Sequence, residues 1–389
     1  MEYCPVQYPD QYNQEISLNK AVHVYFAQAI PLITYIDESC LYLKEKKCRI
    51  CEAVCKNNAI DLTQAPEKKE INVGAIVLSP GFEPFDPKVR AEYHYGEFRN
   101  VVTSMDFERL LCSTGPYAGE ILRASDKKHP HNIAWIQCIG SRQVIEGGNS
   151  YCSAVCCTYT QKQVILTKDH DAEAKCTIFH NDVRAYGKDF ERYYQRTENL
   201  PGVRFFRSYP SIVKEDPVTR NVTVRYSTPE DGVIEEEFDM VVLSIGMNPP
   251  KGVEDIAQKY GIELESHNFC KLNPVNPIET AKPGIFVSGA LQGPIDIPES
   301  VFGASGAGSQ VGELLDYRRG NLSKERVYPE ERDVSQEEPR IGVFVCTCNG
   351  SMASGAALER IRDLGAGLPG VVRSDLVFSA CHPRGAEQI

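Results

Sequence analysis

The sequence predicts an α/β fold built on a parallel β-sheet. The first observation is the order of elements over residues 132–180, where a strand (132–137), a loop, a helix (154–169) and a second strand (175–180) follow one another. This order begins a parallel, doubly wound sheet. The second observation is that other short apolar strands end in a glycine turn, at Gly81, Gly246 and Gly289. Such turns let the backbone approach a bound nucleotide closely.

The remaining elements follow from hydrophobic period and turn residues. Residues 70–79 form a β-branched run that predicts a buried strand, and alternating segments at 203–212, 222–227 and 234–238 predict an antiparallel piece. Buried strands are predicted at 239–245 and 284–288, and a helix rich in glycine, alanine and serine at 299–317. The charged residues 318–339 lack a period and predict a linker, after which a strand (340–345) and a helix (355–364) begin a further unit.

Length and charge limit the class of protein. The 389 residues suggest two or three domains at roughly 100–200 residues each. With 42 basic and 53 acidic residues the net charge is −11, which argues against a general nucleic-acid or anionic-membrane binder. The apolar segment at 21–36 contains His23, Gln28 and Pro31 and is too short for a membrane span. Because no signal peptide is visible, a cytoplasmic location without disulfide bonds is expected.

The first cysteine group has the spacing of an iron–sulfur loop. Cys40, Cys48, Cys51 and Cys55 form C-x7-C-x2-C-x3-C, and the last three match the loops by which ferredoxins bind a [4Fe–4S] cluster. A zinc site or unligated thiols are the alternatives. Cys4 precedes a proline and resembles the last ligand of a similar loop, although it is equally compatible with a lone terminal cysteine.

The second cysteine group combines a strand end with the beginning of a helix. Cys138 ends the strand at 132–137, and Cys152, Cys156 and Cys157 precede or open the next helix. A parallel fold can bring these positions to one point, which predicts a second cluster. The alternative is that two of the thiols are buried apolar residues, as free cysteines often are.

The other cysteines are less informative. Isolated positions are expected to be small buried hydrophobes, and they are Cys112, Cys176 and Cys270. Three more could be ligands of an incomplete site or none, and they are Cys346, Cys348 and Cys381.

The glycine turns resemble the flavin fingerprints of flavoproteins with two dinucleotide-binding domains. The third turn leads into a helix whose N-terminus could meet the flavin or its pyrophosphate. The predicted cofactor-binding residues are Ser79, Pro80, Gly81, Ile245, Gly246, Gly289, Gln292, Gly293, Pro294, Asp296, Ile297 and Ser300.

Together these residues resemble one family. CIGSR (138–142) and YCSAVCC (151–157), with VSGALQGPIDIPES (287–300), closely resemble motifs of the A-type subunits of heterodisulfide reductase, over roughly residues 1–319. Residues 340–389 look like the start of another copy of the family's amino-terminal domain. The resemblance implies a thioredoxin-reductase-like flavoprotein fold that binds FAD and at least two [4Fe–4S] clusters. It also implies charged groups near the flavin, carried over to Lys162 and Glu108 as catalytic residues.

The resemblance further implies an oxidoreductase with several partners. These are B- and C-like subunits, a hydrogenase- or formate-dehydrogenase-type input subunit, ferredoxin and a second copy of the chain. The implied activity is flavin-based electron bifurcation between a two-electron donor, ferredoxin and a disulfide-reducing partner. The alternatives are an NAD(P)H-linked flavin disulfide oxidoreductase and a non-catalytic iron–sulfur wire or scaffold.

Two departures from the family pattern bear on these expectations. Gly289-Ala290 replaces the usual Gly-Asp, which leaves Asp296 as the nearest acidic residue. CIGSR stands where a glycine-rich loop would bind NAD(P), so direct nicotinamide binding there is doubtful. The predicted domains are an iron–sulfur segment (1–70), FAD-binding parts (71–130 and 241–317), a cluster-bearing nucleotide-type domain (131–240), the linker (318–339) and the start of a further domain (340–389).

Overall fold

The computed structural model describes residues 3–26, 34–55, 59–325, 327–328, 330–350, 352 and 355–389. Residues 27–33 of the apolar segment at 21–36, and residues 326 and 329 of the predicted linker, lie outside the described residues. The chain divides into two compact units, Met1–Arg319 and Gly320–Ile389. Among the described helices, none combines the length and the hydropathy needed to cross a membrane.

The elements of the described residues are as follows. The strands are β1 Gln7–Pro9, β2 Leu18–Lys20, β3 Val22–His23, β4 Tyr35–Ile36, β5 Ile76–Leu78, β6 Glu83–Pro84, β7 Val101–Thr103, β8 Asn132–Ile139, β9 Lys175–Phe179, β10 Val203–Phe206, β11 Ile212–Glu215, β12 Val222–Thr228, β13 Gly232–Phe238, β14 Met240–Ile245, β15 Met247–Asn248, β16 Ile285–Val287, β17 Ile341–Cys346 and β18 Val371–Val377. The α-helices are α1 Leu41–Glu45, α2 Ile50–Val54, α3 Ser104–Leu111, α4 Cys156–His170, α5 Phe190–Glu198, α6 Val253–Tyr260, α7 Ile297–Leu314, α8 Gly355–Ala366 and α9 Pro383–Ala386.

A five-stranded parallel sheet forms the centre of the first unit. Its strand order is β10-β9-β8-β14-β7, and each neighbouring pair is parallel. From β8 the chain proceeds outward through β9 and β10, whereas β14 and β7 lie on the other side. The carboxyl end of β8 is therefore a topological switch point, where α/β sheets bind their ligands. The α/β class predicted from the sequence is confirmed.

The two faces of this sheet are covered differently. On one face Ala134 and Ile136 of β8 lie in a core that includes the antiparallel sheet β11-β12-β13. On the other face Ile133 and Trp135 pack in a core with residues of α3 and α4. The alternation along β8 follows the period of two of a β-strand. The prediction of a doubly wound sheet is wrong here, because a three-stranded antiparallel sheet takes the place of helices on one face.

Two predicted boundaries also differ from the structure. The segment 203–212 is divided, since Val203–Phe206 pairs in parallel with β9 and only Ile212–Glu215 joins the antiparallel sheet. The division between 131–240 and the flanking FAD-binding parts separates strands that share one sheet, because β14 and β7 both belong to the sheet of β8. The register shows this directly, because Val241 of β14 pairs with Val101 of β7 on one side and with Ala134 of β8 on the other. The division of the segment 203–212 and the boundaries of the predicted domain 131–240 both depend on pairing between strands that are far apart in the sequence.

A smaller parallel pair, β5 with β16, lies beside α6 and α7. Leu78 and Val287 of this pair pack with Val253 and Ala257 of α6. The predicted strand at 70–79 is shorter in the structure, since its partner β16 has only three residues. Helix α7 begins two residues before its predicted start, because Asp296 caps it and forms a capping box with Glu299.

The second unit is described by itself. Its strands β17 and β18 are parallel, and helix α8 lies between them in sequence and packs on both. This β–α–β order matches the strand and helix predicted from residue 340 onward. Between Asp316–Arg318 and β17, the described residues contain no helix or strand.

Candidate functional site

Four cysteines meet at the carboxyl end of β8. Cys138 lies at the end of this strand, and Cys156 opens α4. The side chain of Cys156 interacts electrostatically with Cys138, Cys152 and Cys157, so the four thiols form one group. We call these four residues the four-thiol site. It lies at the switch point of the sheet, as the sequence predicted for a strand end followed by a helix start.

Two of the four thiols are buried, and the other two are partly buried. Cys138 and Cys156 are only 4% and 3% exposed. Burial raises the pKa of Cys138 to about 11, and the neighbouring Cys157 adds to the rise. Burial also raises the pKa values of Cys156 and Cys157, again with contributions from the other thiols. Because a metal is bound by the thiolate form, a bound cation would relieve this cost, and the donor set therefore fits a metal cluster.

Backbone geometry supports the same interpretation. The N–H of Ala154 donates to Cys152 Sγ at 3.4 Å, and the N–H of Arg184 donates to Cys157 Sγ at 3.4 Å. Cys138 and Ala154 have φ of 63°, the left-handed region that residues with a Cβ rarely adopt. Hydrogen bonds to sulfur are one means by which proteins adjust cluster potentials.

The spacing of the side chains bears on the zinc alternative. A single tetrahedral zinc ion needs ligand sulfurs about 3.8 Å apart, from a Zn–S distance of about 2.3 Å. In the part of the chain that the structure describes, no three His, Cys, Asp or Glu side chains are placed to hold one metal ion. The described thiols therefore do not have the close spacing of a tetrahedral zinc site.

A cavity of about 840 Å³ lies next to the four-thiol site. This volume is within the range of cofactor sites, roughly 300–1,000 Å³. Its wall brings together predicted residues from four separate segments, and they are Gly81, Glu108, Lys162, Asp296, Ile297 and Ser300. Tyr159, one turn after Cys156 on α4, also lines the cavity and interacts with the charges of the site's thiols. The cavity and the four-thiol site therefore share helix α4.

The charged pair in the cavity wall is held by a buried network. Lys162 Nζ donates a hydrogen bond to Glu108 Oε2, so the two predicted catalytic residues form an ion pair. Gln163 Nε2 donates to Glu108 Oε1 at 3.1 Å. The indole N–H of Trp135 donates to Gln163 Oε1 at 3.1 Å, which fixes the orientation of the amide. The lysine cation therefore faces the cavity with a partner rather than alone.

The beginning of α7 also lines the cavity. Asp296 Oδ1 accepts a hydrogen bond from the Glu299 N–H at 2.8 Å, and Glu299 Oε2 accepts one from the Asp296 N–H at 2.9 Å. Pro298 has no N–H. The capping box therefore leaves the Ile297 N–H as the remaining donor among the first three helical positions.

Several predicted flavin residues lie elsewhere. Ser79 and Pro80 line a neighbouring groove formed with α6. The wall of the 840 Å³ cavity does not include Ile245, Gly246, Gly289, Gln292, Gly293 or Pro294. Gln292 Nε2 donates to the Pro277 carbonyl at 2.7 Å. Gly246 lies against the hydroxyls of Ser141 and Ser153, within the loops that carry the thiols. Roles of these residues in cofactor binding stay predictions.

The amino-terminal thiols form a second group. Cys40 precedes α1, whereas Cys51 lies within α2 and Cys55 directly follows the last residue of α2. Burial raises the pKa of Cys51, and the charges of Cys40 and Cys48 raise it further, so these three thiols are close together. Cys4 packs with Cys40 and Cys51 in one small core.

The remaining cysteines differ in environment. Cys176 and Cys270 are 0% and 3% exposed, as expected of small buried hydrophobes. Cys112 is only half-buried, and its hydrogen bonds with Thr114 lower its pKa, so the expectation of burial is wrong for this residue. In the second unit, Cys346 Sγ and Cys348 Sγ lie 3.6 Å apart, and the charge of Cys381 also acts on Cys348.

Some residues at the site could not be identified from the sequence. Gln163 and Trp135 carry no motif, and their roles depend on contacts across 55 and 28 positions. Asp182 lies 40 positions from Arg142, to which it is joined by an ion pair beside the thiols. The only signal in the sequence was the placement of Arg142 within the CIGSR motif.

Fold and site together define a class, namely an α/β protein with grouped thiols beside a cofactor-sized cavity. Curated relatives narrow this class. The chain is 39% identical over 312 residues to the iron–sulfur A subunit of the CoB–CoM heterodisulfide reductase of Methanocaldococcus jannaschii, covering 79% of this chain and 47% of the relative. It is 39% identical to the A subunit of the H2/formate:CoB–CoM heterodisulfide, ferredoxin reductase of Methanococcus maripaludis, covering 88% and 51%. The chain is therefore similar to A subunits of heterodisulfide reductases over about four fifths of its own length, and it spans about half the length of these relatives.

Comparisons with protein-family models and with solved structures give weaker similarities or none. No protein-family model matches the chain. A crystal structure of LpdA from Mycobacterium tuberculosis aligns with a TM-score of 0.33 at 14% identity, over 51% of this chain and 37% of that protein. A thioredoxin reductase from Gloeobacter violaceus aligns with a TM-score of 0.28 at 11% identity, over 65% and 66%.

Proposed function

We propose that the chain is an FAD- and [4Fe–4S]-containing electron-transfer subunit of a heterodisulfide-reductase-type complex, and thus part of an oxidoreductase. One observation carries the proposal. The cavity that contains the Lys162–Glu108 pair is lined by the same helix, α4, whose first residues belong to the four-thiol site. A cofactor in this cavity and a cluster at the thiols would lie side by side, as electron transfer requires. FAD exchanges electrons in pairs or singly, which suits it to connect two-electron and one-electron partners.

The residues of the cavity would bind and orient FAD. Gly81 provides a turn with φ of 80°, and among the described residues no neighbouring atom lies within 4 Å of the place that a Cβ would take, so a bound group can approach its backbone closely. Asp296 and Ser300 at the start of α7 supply polar groups in the wall of the same cavity. The pair of Lys162 and Glu108 supplies one charge of each sign within the cavity. Positive charge from Lys162 would favour a negatively charged, reduced cofactor.

The cysteine groups would each bind one cluster. In the proposal Cys138, Cys152, Cys156 and Cys157 hold the cluster next to FAD. A second cluster is bound by the amino-terminal residues Cys40, Cys48, Cys51 and Cys55. Cys4 packs against that second group and is proposed as a ligand of a further cluster.

The names of the relatives support the choice of complex and partners. Relatives are named as subunits of heterodisulfide and ferredoxin reductases, and three of these names include H2 or H2/formate. We therefore propose a cytoplasmic complex with B- and C-like subunits, a hydrogenase- or formate-dehydrogenase-type subunit, ferredoxin and a second copy of the chain. Electron bifurcation is proposed as the activity of this complex.

Iron content tests the cluster assignment. In the intact complex Cys156→Ala should remove about four irons per chain, because it removes one ligand of a [4Fe–4S] cluster. Cys176→Ala is the matched control, since Cys176 is equally buried but lies alone on β9, and it should keep all iron. Unchanged iron in Cys156→Ala would refute the assignment.

Coupled turnover tests the role of the charged pair. Lys162→Ala should keep FAD and iron but lose ferredoxin reduction coupled to disulfide reduction. Lys175→Ala removes an exposed lysine at the start of β9 and should leave coupling unchanged. Wild-type coupling in Lys162→Ala would eliminate the catalytic role of this lysine, whatever its FAD content.

A further inference from the structure

An ion pair joins the two loops that flank the four-thiol site. Arg142 follows β8 and Asp182 follows β9, and the guanidinium binds both carboxylate oxygens. Nη1 donates to Oδ1, and Nη2 donates to Oδ2 at 3.3 Å. The Arg142 side chain is 24% exposed and the Asp182 side chain 46%. Two-point pairing of this kind fixes direction as well as distance.

The loop after β9 contacts a thiol through its backbone, and the loop after β8 is held by a backbone hydrogen bond to the segment that carries Cys152. Two residues after Asp182, the N–H of Arg184 donates to Cys157 Sγ. Arg142 has φ of 57°, an unfavourable conformation for a residue with a Cβ, and its N–H donates to the Tyr151 carbonyl at 2.8 Å. An arginine held in such a conformation indicates that its position is required by something other than local backbone preference.

The ion pair lies beside the thiols. Arg142 follows Cys138 by four residues in the loop after β8. The thiol of Cys157 donates to the Asp182 carbonyl at 3.9 Å. One positive and one negative side chain are therefore held next to the four-thiol site.

We propose that Arg142 and Asp182 are positioning residues that set the reduction potential of the cluster at the four-thiol site, with opposite signs. The inference rests on the proposed function, since it needs a cluster at these thiols. Reduction adds one negative charge to a cluster. A nearby cation favours that change and a nearby anion opposes it, and a partly buried site screens both charges less than water does.

Redox titration followed by electron paramagnetic resonance tests this inference in the intact complex. The signal of the four-thiol cluster is identified as the one that disappears in Cys156→Ala. Arg142→Gln is expected to shift the midpoint potential of this signal downward, because a cation is lost. Asp182→Asn is expected to shift it upward, because an anion is lost. Arg142→Lys keeps the charge without the two-point geometry and should remain closer to wild type than Arg142→Gln.

Opposite signs separate the electrostatic role from a structural one. Both substitutions loosen the same pair, so a purely structural contact would move the potential in the same direction in both variants. Shifts of equal sign, or none, would overturn the inference. If Arg142→Gln fails to assemble the cluster, the comparison of Asp182→Asn with wild type still decides, since only an upward shift supports the proposal. Arg225→Gln removes an arginine paired with Glu235 on the antiparallel sheet and is the matched control.

If Cys156→Ala removes no signal, the cluster assignment fails. If the signal is identified but does not shift as described, only the role of the ion pair fails.

Discussion

The substitution Gly246→Ala probes how tightly the loops of the four-thiol site are packed. A Cβ at this position would lie 2.3 Å from Ser141 Oγ and 2.5 Å from Ser153 Oγ, well inside ordinary contact. The two hydroxyls hydrogen-bond each other at 2.6 Å, and Ser153 Oγ accepts the Met247 N–H at 2.9 Å. Both serines are buried, so they cannot turn away without losing these bonds. Gly246 does not have a positive φ, and the cost is therefore one of packing alone.

The magnitude follows from two contributions. Overpacking costs about 1–3 kcal/mol. Loss of one buried hydrogen bond adds about 1 kcal/mol. We therefore expect Gly246→Ala to lower the free energy of unfolding by about 2–4 kcal/mol. Because Ser141 lies three residues after Cys138 and Ser153 follows Cys152 directly, the same movement should reduce the iron bound at the four-thiol site.

Chemical denaturation provides the assay, with the fluorescence of the single tryptophan, the buried Trp135, as the probe. Iron is determined on the same samples. Gly308→Ala is the control, because no atom of the described part of the chain lies within 4 Å of a new Cβ at this exposed position on α7, and the substitution should be neutral or slightly stabilising. In a double-mutant cycle, Ser141→Ala should recover part of the loss, since it removes the nearest clashing atom. Wild-type stability and full iron in Gly246→Ala would refute the reasoning.

Three further predictions concern individual contacts. Cys112 should be alkylated at a lower pH than Cys176, because only the thiolate reacts and hydrogen bonding lowers the pKa of Cys112, whereas burial raises that of Cys176 to about 12. Mass spectrometry of samples alkylated from pH 7 to 10 measures the two rates, and equal rates would contradict the prediction. Gln163→Leu leaves the indole N–H of Trp135 unsatisfied and should cost about 1–3 kcal/mol in denaturant unfolding, so an unchanged midpoint would argue against the network. Asp296→Ala removes the N-cap of α7 and should lower stability by about 1 kcal/mol, whereas Asp296→Asn should retain most of it.

Much of the fold could be read from local pattern. The strand at Asn132–Ile139, the helix at Cys156–His170 and the strand at Lys175–Phe179 lie within a few residues of their predicted bounds. Each has a hydrophobic period or a run of apolar residues that depends only on its own sequence. The segment 203–212 was misjudged, because a four-residue strand does not reveal whether its partner will be parallel or antiparallel.

The site was predictable to the extent that it follows from spacing. The cysteines at 138, 152, 156 and 157 could be grouped because a parallel strand and the next helix bring their ends together, and the structure does group them. The flavin residues were predicted from glycine turns, which indicate close backbone approach but not what approaches. At Gly246 the neighbours are two serine hydroxyls.

The sequence by itself predicted the α/β class, the grouping of Cys138 with Cys152, Cys156 and Cys157, and the resemblance to heterodisulfide reductase A subunits. Tertiary structure decided which strands share a sheet, and it placed an antiparallel sheet on one face of the parallel one. It also paired Lys162 with Glu108 across 54 positions and Arg142 with Asp182 across 40. Local pattern arises from the backbone period of a single element, whereas these pairings arise from register and packing between elements far apart in the chain. The charges that surround the cavity and the thiols are therefore set by contacts that no single segment encodes.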